Sequence, residues 1–214
     1  MKSVLISVQP KWCEKITHII GKIDKKPIYE KRVEIRKTRP KLETPFKVYI
    51  YMTKAYDTIF GKGKPKKVCV GGGKVIAEFV CDRVQEYESE FVDDDCFEMI
   101  ECIDRDEEGD ATGFIEWSND GNIPYLSTGF FKKCCVPYEE LKKYIGLGFI
   151  TFYGWHISDL VIYDEPKELS EFKTLCTKNI DCYLCNRYDH IRKNCNSTIT
   201  KPPQSWCYVE RRED

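Results

Sequence analysis

The sequence lacks any long apolar run. No stretch approaches the roughly 20 residues that a membrane-spanning helix needs, so we expect no membrane segment. The apolar run near the start, Val4-Leu5-Ile6, is too short for the hydrophobic region of a signal peptide. We therefore expect a cytoplasmic protein in which most of the 12 cysteines stay reduced. Clustered cysteines are then interpreted as metal ligands before disulfides.

The sequence also has almost no net charge and no phosphate loop. Its formal charge is −1, and Gly71-Gly72-Gly73 is followed by no Gly-Lys-Ser/Thr motif, so these glycines predict a turn. The small total hides a separation of charge. Six bases and one acid lie between Lys31 and Lys41, whereas 13 acids and one base lie between Glu86 and Asp110. Such asymmetry is typical of a surface that meets phosphate, although a solvated charged surface gives the same pattern.

Short strands outnumber helices in the sequence pattern. Alternation predicts a strand over Arg32–Arg36, with Val33 and Ile35 on its core face. Further strands are predicted at Ser3–Val8, Lys47–Met52, Lys74–Val80 and Tyr153–Tyr163. Without regular crossover helices between them, these strands indicate an α+β fold with a mainly antiparallel, barrel-like sheet.

Two short helices and one long loop complete this prediction. The first helix begins at Pro10, and Trp12, Ile16, Ile19 and Ile20 fall on one face. The second helix covers Pro137–Ile145. Residues 22–28 are predicted to form a lysine-rich loop, and the acidic residues 86–122 a long loop or insertion.

The charged strand contains the first candidate site. Lys31, Glu34 and Arg36 form a K-x-x-E-x-R pattern that Lys37 and Arg39 continue. Glu34 can orient the guanidinium groups of Arg32 and Arg36 toward a phosphate or a base edge. A solvated edge strand with cross-strand salt bridges is the alternative interpretation.

Several separated segments resemble the ASCH domain family of the PUA-like superfamily. They are Ser7-Val8-Gln9-Pro10-Lys11-Trp12, the K-x-x-E-x-R strand, Gly73–Val80 and Tyr153–Asp159. The ending Pro202–Val209 is similar to that of small phage and bacterial ASCH-like proteins. The resemblance covers residues 1–165 with the acidic insertion at about 86–122 unmatched, and residues 166–214 form a Cys-rich, irregular C-terminal extension.

The resemblance implies a PUA-like pseudo-β-barrel with a few short helices and a cleft that binds RNA or a modified nucleotide. Trp155 and His156 can stack on or bond a base in that cleft, although a core tryptophan and an internally bonded histidine fit the pattern equally well. The implied ligand-binding residues are Gln9, Lys31, Arg32, Glu34, Arg36, Lys37, Arg39, Trp155 and His156.

Two other functions stay open. Some similar small proteins hydrolyse N4-acetylcytidine with a lysine and a threonine on the signature strand. Lys31 matches that lysine, but Glu34 occupies the threonine position, so a hydrolase would rely on Lys31 and Glu34 without the hydroxyl nucleophile. The other alternative is an interaction protein that acts through its acidic loop.

The C-terminal extension contains the second candidate site. Cys182-x2-Cys185-x4-His190-x4-Cys195 has the spacing of a zinc knuckle, in which three thiolates and one imidazole bind a tetrahedral ion. Cys176 is an alternative fourth ligand to His190. The pattern therefore predicts structural zinc on Cys182, Cys185 and Cys195 with one of these two, although reduced cysteines in an irregular tail remain the simpler interpretation.

Overall fold

A computed structural model describes residues 2–59, 66–69, 72–91, 97–105, 111–118, 130–146, 148–174 and 198–211. The chain forms two compact units, each assembled from separate segments. Unit 1 comprises Met1–Glu14, Phe46–Val80 and Asp159–Asp214, and unit 2 comprises Lys15–Pro45 and Cys81–Ser158. The sequence-based division at residue 165 stays a prediction.

Unit 1 contains most of a six-stranded sheet. Numbered along the chain and given in spatial order, its strands are β13 (Ser158–Lys167), β8 (Lys74–Cys81), β5 (Phe46–Met52), β1 (Ser3–Val8), β15 (Trp206–Arg211) and β14 (Phe172–Thr174). Strand β1 pairs in parallel with β5 and antiparallel with β15. Its central position explains its apolar sequence, because a central strand is buried on both faces.

The core of unit 1 lies against this sheet. It includes Leu5, Val75 and Val209, and the rings of Tyr49 and Phe172 meet edge to face with centroids 4.9 Å apart. A short 3-10 helix, Leu169–Glu171, precedes β14, and a separate hairpin pairs β6 (Tyr56–Ile59) with β7 (Lys66–Cys69).

Helix α1 (Pro10–Thr17) begins at the predicted residue but ends earlier than predicted. Ile19 and Ile20 continue instead into a hairpin of β2 (Ile19–Ile23) and β3 (Lys26–Tyr29), where the sequence predicted a loop. Asp24 and Lys25 both take positive φ, as a two-residue hairpin turn requires. The branched isoleucines suit a strand better than a helix end.

Unit 2 contains a five-stranded sheet in which every pair with a defined register is antiparallel. In spatial order its strands are β11 (Ala111–Ser118), β10 (Phe97–Arg105), β9 (Val84–Phe91), β12 (Ile150–His156) and β4 (Val33–Arg36). Helices α2 (Phe130–Cys134) and α3 (Tyr138–Ile145) pack against the core of this unit through Phe130, Leu141 and Ile145. Val33 and Ile35 are buried in the same core, which confirms the predicted inward face of β4.

The prediction of a long acidic loop over residues 86–122 is wrong. Strands β9, β10 and β11 occupy most of this segment, and β9 pairs with both β10 and β12. The physical reason lies in the spacing of the acids, because Glu86, Glu88 and Glu90 alternate with Tyr87 and Ser89. Such alternation leaves carboxylates on one face of a strand and core residues on the other.

The coarse fold prediction is confirmed: the protein is rich in strands, mostly antiparallel, with few and short helices. The parallel pairing of β1 with β5 was not predicted, and the predicted strand Tyr153–Tyr163 is divided at Ile157 between β12 and β13. Within the described residues the sheets are open, and none closes into a barrel. None of the described helices has the length and apolar character that a membrane span requires.

Candidate functional site

Strand β4 carries a buried ion network in unit 2. Arg36 Nη2 donates to Glu34 Oε1 at 2.8 Å, and Lys31 Nζ lies 3.3 Å from Glu34 Oε2. Lys31 Nζ also donates to the carbonyl of Cys134 at 2.6 Å. Lys31, Glu34 and Arg36 are only 2%, 6% and 5% exposed. All three charged side chains are therefore shielded from water.

The burial of this network has a cost in desolvation free energy that its geometry must offset. Removing charged groups from water carries a large penalty that only close pairing and hydrogen bonds offset. Two further donors are also buried. Among the described residues, Arg36 Nε and Trp155 Nε1 have no hydrogen-bond acceptor within reach, although both side chains make other contacts. Such donors are uncommon in proteins, and functional sites are one place where they occur.

The partners of Glu34 differ from those predicted in one respect. The sequence pattern paired Glu34 with Arg32 and Arg36, whereas in the structure Lys31 takes the place of Arg32. The backbone of Arg32 lies just outside β4, where its N–H donates to the Lys133 carbonyl and its own carbonyl accepts from Ile157. Its side chain is exposed.

The basic residues after β4 are accessible. Lys37 and Arg39 are exposed, and the Lys37 ammonium lies 5.6 Å from the centre of the Tyr144 ring. The predicted basic site therefore separates into two parts. Lys31 and Arg36 are internal, and Arg32, Lys37 and Arg39 are on the surface.

Cross-strand pairing extends the site across the sheet. Tyr153 on β12 lies opposite Arg36 on one side and opposite Glu86 on the other, and Trp155 lies opposite Glu34. Directly opposed residues of antiparallel strands share a face. We call this the polar face, and it comprises Glu34, Arg36, Tyr153, Trp155, Glu86 and Glu88. Tyr153 and Glu86 are half-buried, whereas Trp155 and Glu88 are buried.

Trp155 and His156, predicted together, lie on opposite faces of the sheet. Consecutive residues of a strand alternate in direction, so His156 shares the face of Val33, its cross-strand partner. His156 Nδ1 lies 2.6 Å from Asp82 Oδ1. Gln9 belongs to unit 1, where it is exposed and its carbonyl accepts from the N–H groups of Trp12 and Cys13.

Sequence analysis missed three members of the polar face, namely Tyr153, Glu86 and Glu88. Tyr153 was part of a recognised segment but not of the predicted site, and Glu86 was assigned to a loop. The carboxylate oxygens of Glu86 and Glu88 and the Sγ atom of Cys102, which are atoms of the kind that bind metal ions, lie within 4.8 Å of one another. Strict alternation of Glu86, Glu88 and Glu90 was the signal that could have found the carboxylates.

The predicted zinc ligands Cys176, Cys182, Cys185, His190 and Cys195 all lie outside the described residues, so the zinc site stays a prediction. Cys13 is buried, and its thiol points to the Val8 carbonyl at 3.7 Å, consistent with a packing role. Cys134 lies beside the ion network. Burial raises the pKa of its thiol to about 11, and the charge of Lys31 acts in the opposite direction.

Comparison of this chain with family models, with curated proteins and with solved structures finds no match.

Proposed function

We propose that this protein binds RNA or a modified nucleotide at the polar face of unit 2. The observation that carries the proposal is the position of Tyr153, a half-buried aromatic ring between Arg36 on one neighbouring strand and Glu86 on the other. An aromatic side chain offers a stacking surface to a base, and stacking of this kind contributes about 1–3 kcal/mol per base.

The two charged neighbours of Tyr153 favour a particular kind of ligand. The guanidinium of Arg36 can donate to an acceptor on a base or to a phosphate, and the carboxylates of Glu86 and Glu88 can accept from an exocyclic amine. These carboxylates would repel a continuous run of phosphates placed over them. The polar face thus suits a single nucleotide or an unstacked base, which is how proteins most often recognise RNA in a sequence-specific way.

The ion network has a positioning role in this proposal. Glu34 holds Arg36 at 2.8 Å, and Lys31 is held in turn by Glu34 and by the Cys134 carbonyl. Fixing a guanidinium before the ligand arrives lowers the entropic cost of binding. Arg32, Lys37 and Arg39 lie outside the network and would meet the phosphates that flank the bound nucleotide.

The same contacts favour binding over hydrolysis. A catalytic lysine must have its amine available to the substrate, whereas the Lys31 ammonium is held by Glu34 at 3.3 Å and by the Cys134 carbonyl at 2.6 Å. We also propose that the chain is an ASCH-like member of the PUA-like superfamily. The antiparallel pairing of β4 with β12 supports this, because it joins the two segments on which the resemblance depends.

Titration with short fluorescent RNAs and with mononucleotides tests the proposed function. Tyr153→Ala should weaken binding by at least about tenfold, since it removes the stacking surface. Tyr56→Ala removes an exposed tyrosine of unit 1 and is the matched control, expected to leave affinity unchanged.

Salt dependence provides a second measure on the same samples. Each phosphate contact should contribute a slope of about −0.7 on a log–log plot of affinity against salt. Arg39→Ala should make the slope less negative by about 0.7, the value of one phosphate contact, whereas Tyr153→Ala should leave the slope unchanged. Wild-type protein that binds neither RNA nor nucleotide at low salt, or Tyr153→Ala that binds as well as wild type, would contradict the proposal.

A further inference from the structure

The face of the unit 2 sheet opposite the polar face has a small groove with a basic rim. It is a cavity of about 30 Å³ between the sheet and α2. Its apolar floor is formed by Val33, Tyr87 and Phe130, and its rim includes Arg83, Lys133 and His156. All of these residues belong to unit 2.

The floor of the groove depends on a glycine. Gly154 lies among its lining residues, and a Cβ atom there would lie 3.0 Å from Val33 Cγ1 and 3.1 Å from Tyr87 Cε2. A side chain at this position would therefore crowd the floor. Within the floor, the rings of Tyr87 and Phe130 pack with centroids 4.7 Å apart.

Backbone hydrogen bonds hold the basic rim in place. The His156 N–H donates to the Arg83 carbonyl at 2.9 Å, which brings these two residues together. The Lys133 carbonyl accepts from the Arg32 N–H at 2.7 Å, which connects α2 to the residue preceding β4. Three basic residues from three segments of the chain thus line one opening.

The side chain of His156 is oriented as well. Its Nδ1 bonds to Asp82, a residue outside the lining of the groove. A carboxylate on Nδ1 fixes the ring and leaves Nε2 as the nitrogen available to another partner. With Nδ1 as donor to Asp82, Nε2 can donate to an anion whenever the ring is protonated.

The groove also contains two groups that restrict its ligand. Gln85 donates its amide to the Cys102 carbonyl at 2.8 Å and is occupied by the protein itself. Glu101 adds one acidic residue to the lining. With Asp82, the partner of His156, included, three positive groups face two carboxylates when His156 is protonated, and this single excess positive charge favours a small anion over an extended polyanion.

We propose that this groove is a second binding site, which takes a single oxyanion, such as inorganic phosphate or the terminal phosphate of a mononucleotide. Arg83 and Lys133 contact its oxygens with charge-assisted hydrogen bonds, and His156 donates from Nε2. A cavity of about 30 Å³ admits the leading oxygen atoms while the remainder of the anion stays at the mouth. The site is separate from the polar face, because the two lie on opposite faces of the same strands.

The histidine signals in an NMR spectrum test this inference directly. The chain has three histidines, so the imidazole resonance of His156 can be assigned with a His156→Gln variant. Inorganic phosphate, added at constant ionic strength against chloride, should shift the His156 resonance with saturation. His18, which is exposed and bonded to Glu30, is the internal control and should not shift with it.

Two variants and their control complete the experiment. Arg83→Ala and Lys133→Ala should each weaken the apparent affinity of phosphate by at least about tenfold, whereas Lys132→Ala, an exposed neighbour on α2, should not. Adenosine 5′-monophosphate titrated in parallel distinguishes free phosphate from a nucleotide phosphate as the better ligand. An unmoved His156 signal, an equal shift with chloride, or an equal loss in Lys132→Ala would overturn the inference. Tyr153→Ala should leave phosphate binding intact, so failure of the proposed function would be seen separately.

Discussion

At the scale of single residues, Glu34 determines the arrangement of the polar face. Its two oxygens contact Arg36 and Lys31, and all three side chains are almost fully buried. Two explanations of RNA binding, charge attraction alone and positioning of Arg36 by Glu34, predict opposite effects of neutralising Glu34. If only charge matters, neutralising Glu34 should strengthen the binding of RNA. If Glu34 positions Arg36, neutralising it should weaken binding.

We therefore expect Glu34→Gln to weaken RNA binding although it makes the site more positive. We also expect it to lower the free energy of unfolding by roughly 3 kcal/mol, because two buried cations lose their counter-ion. Urea unfolding and RNA titration of the same samples measure both effects.

The control is Glu168→Gln, the same change in an exposed ion pair with Lys74. Surface pairs contribute at most about 1 kcal/mol, so this variant should unfold almost as wild type does. A Glu34→Gln protein with wild-type stability and tighter RNA binding would rule out a positioning role for the carboxylate.

At the scale of secondary-structure elements, the acidic segment is an integral part of unit 2. Strand β9 lies between β10 and β12, and it supplies Tyr87 to the core and Glu86 to the polar face. A surface loop of the same length could be shortened at little cost, because loop-closure entropy grows slowly with length. A strand with a neighbour on each side cannot be removed without exposing the edge of β12.

Deletion of residues 86–122 should therefore unfold unit 2, not merely remove an acidic surface. The expected readout is loss of dispersed amide signals from unit 2 residues in a heteronuclear NMR spectrum. A shorter deletion of residues 107–109 is the comparison and should keep the dispersed spectrum, because it leaves two residues to connect the paired Arg105 and Ala111 of β10 and β11. A folded unit 2 after the longer deletion would show that the acidic segment is dispensable.

At the scale of the whole molecule, buried thiols connect stability to pH in both units. Burial raises the pKa of Cys81 to about 12 and the pKa values of Cys134 and Cys207 to about 11, from an ordinary value of 9.0. Cys207 belongs to unit 1, whereas Cys81 and Cys134 belong to unit 2. Thiols with raised pKa values stay protonated in the folded protein at pH values where they ionise in the unfolded chain.

The sign of the resulting pH dependence follows from linkage. Below about pH 9 the thiols are protonated in both states, so their contribution to stability is fully present. As the pH rises toward about 11 to 12, the unfolded chain loses these protons first and is stabilised relative to the folded protein. We expect the free energy of unfolding to fall from pH 9 upward, as measured by urea titration at several pH values.

Other groups also titrate in this range, so a variant is needed as a reference. Replacing Cys81, Cys134 and Cys207 by alanine removes the three thiols and should flatten part of the alkaline decline. An unchanged slope in the triple variant would attribute the decline to other groups, such as the buried phenol of Tyr51, whose pKa is also raised by burial.

Local pattern alone determined much of this protein. The alternation in Val33 and Ile35 placed β4 and its core face, the continuous apolar run predicted β5, and the apolar spacing predicted α3. These elements could be predicted because the direction of a side chain within one strand or helix depends only on sequence spacing. The same rule, applied to Glu86, Glu88 and Glu90, would have identified β9, and applied to Trp155 and His156 would have separated them.

The tertiary structure decided which residues meet. Strand pairing placed Tyr153 between Arg36 and Glu86, although 67 residues separate Glu86 from Tyr153 along the chain. The position of α2 put the Cys134 carbonyl against Lys31, so that Lys31 and not Arg32 became the partner of Glu34. Sequence spacing cannot supply such contacts, because the register between distant strands is set by burial of the whole sheet. The basic groove at His156 has the same origin, since its three rim residues come from segments that only the folded chain brings together.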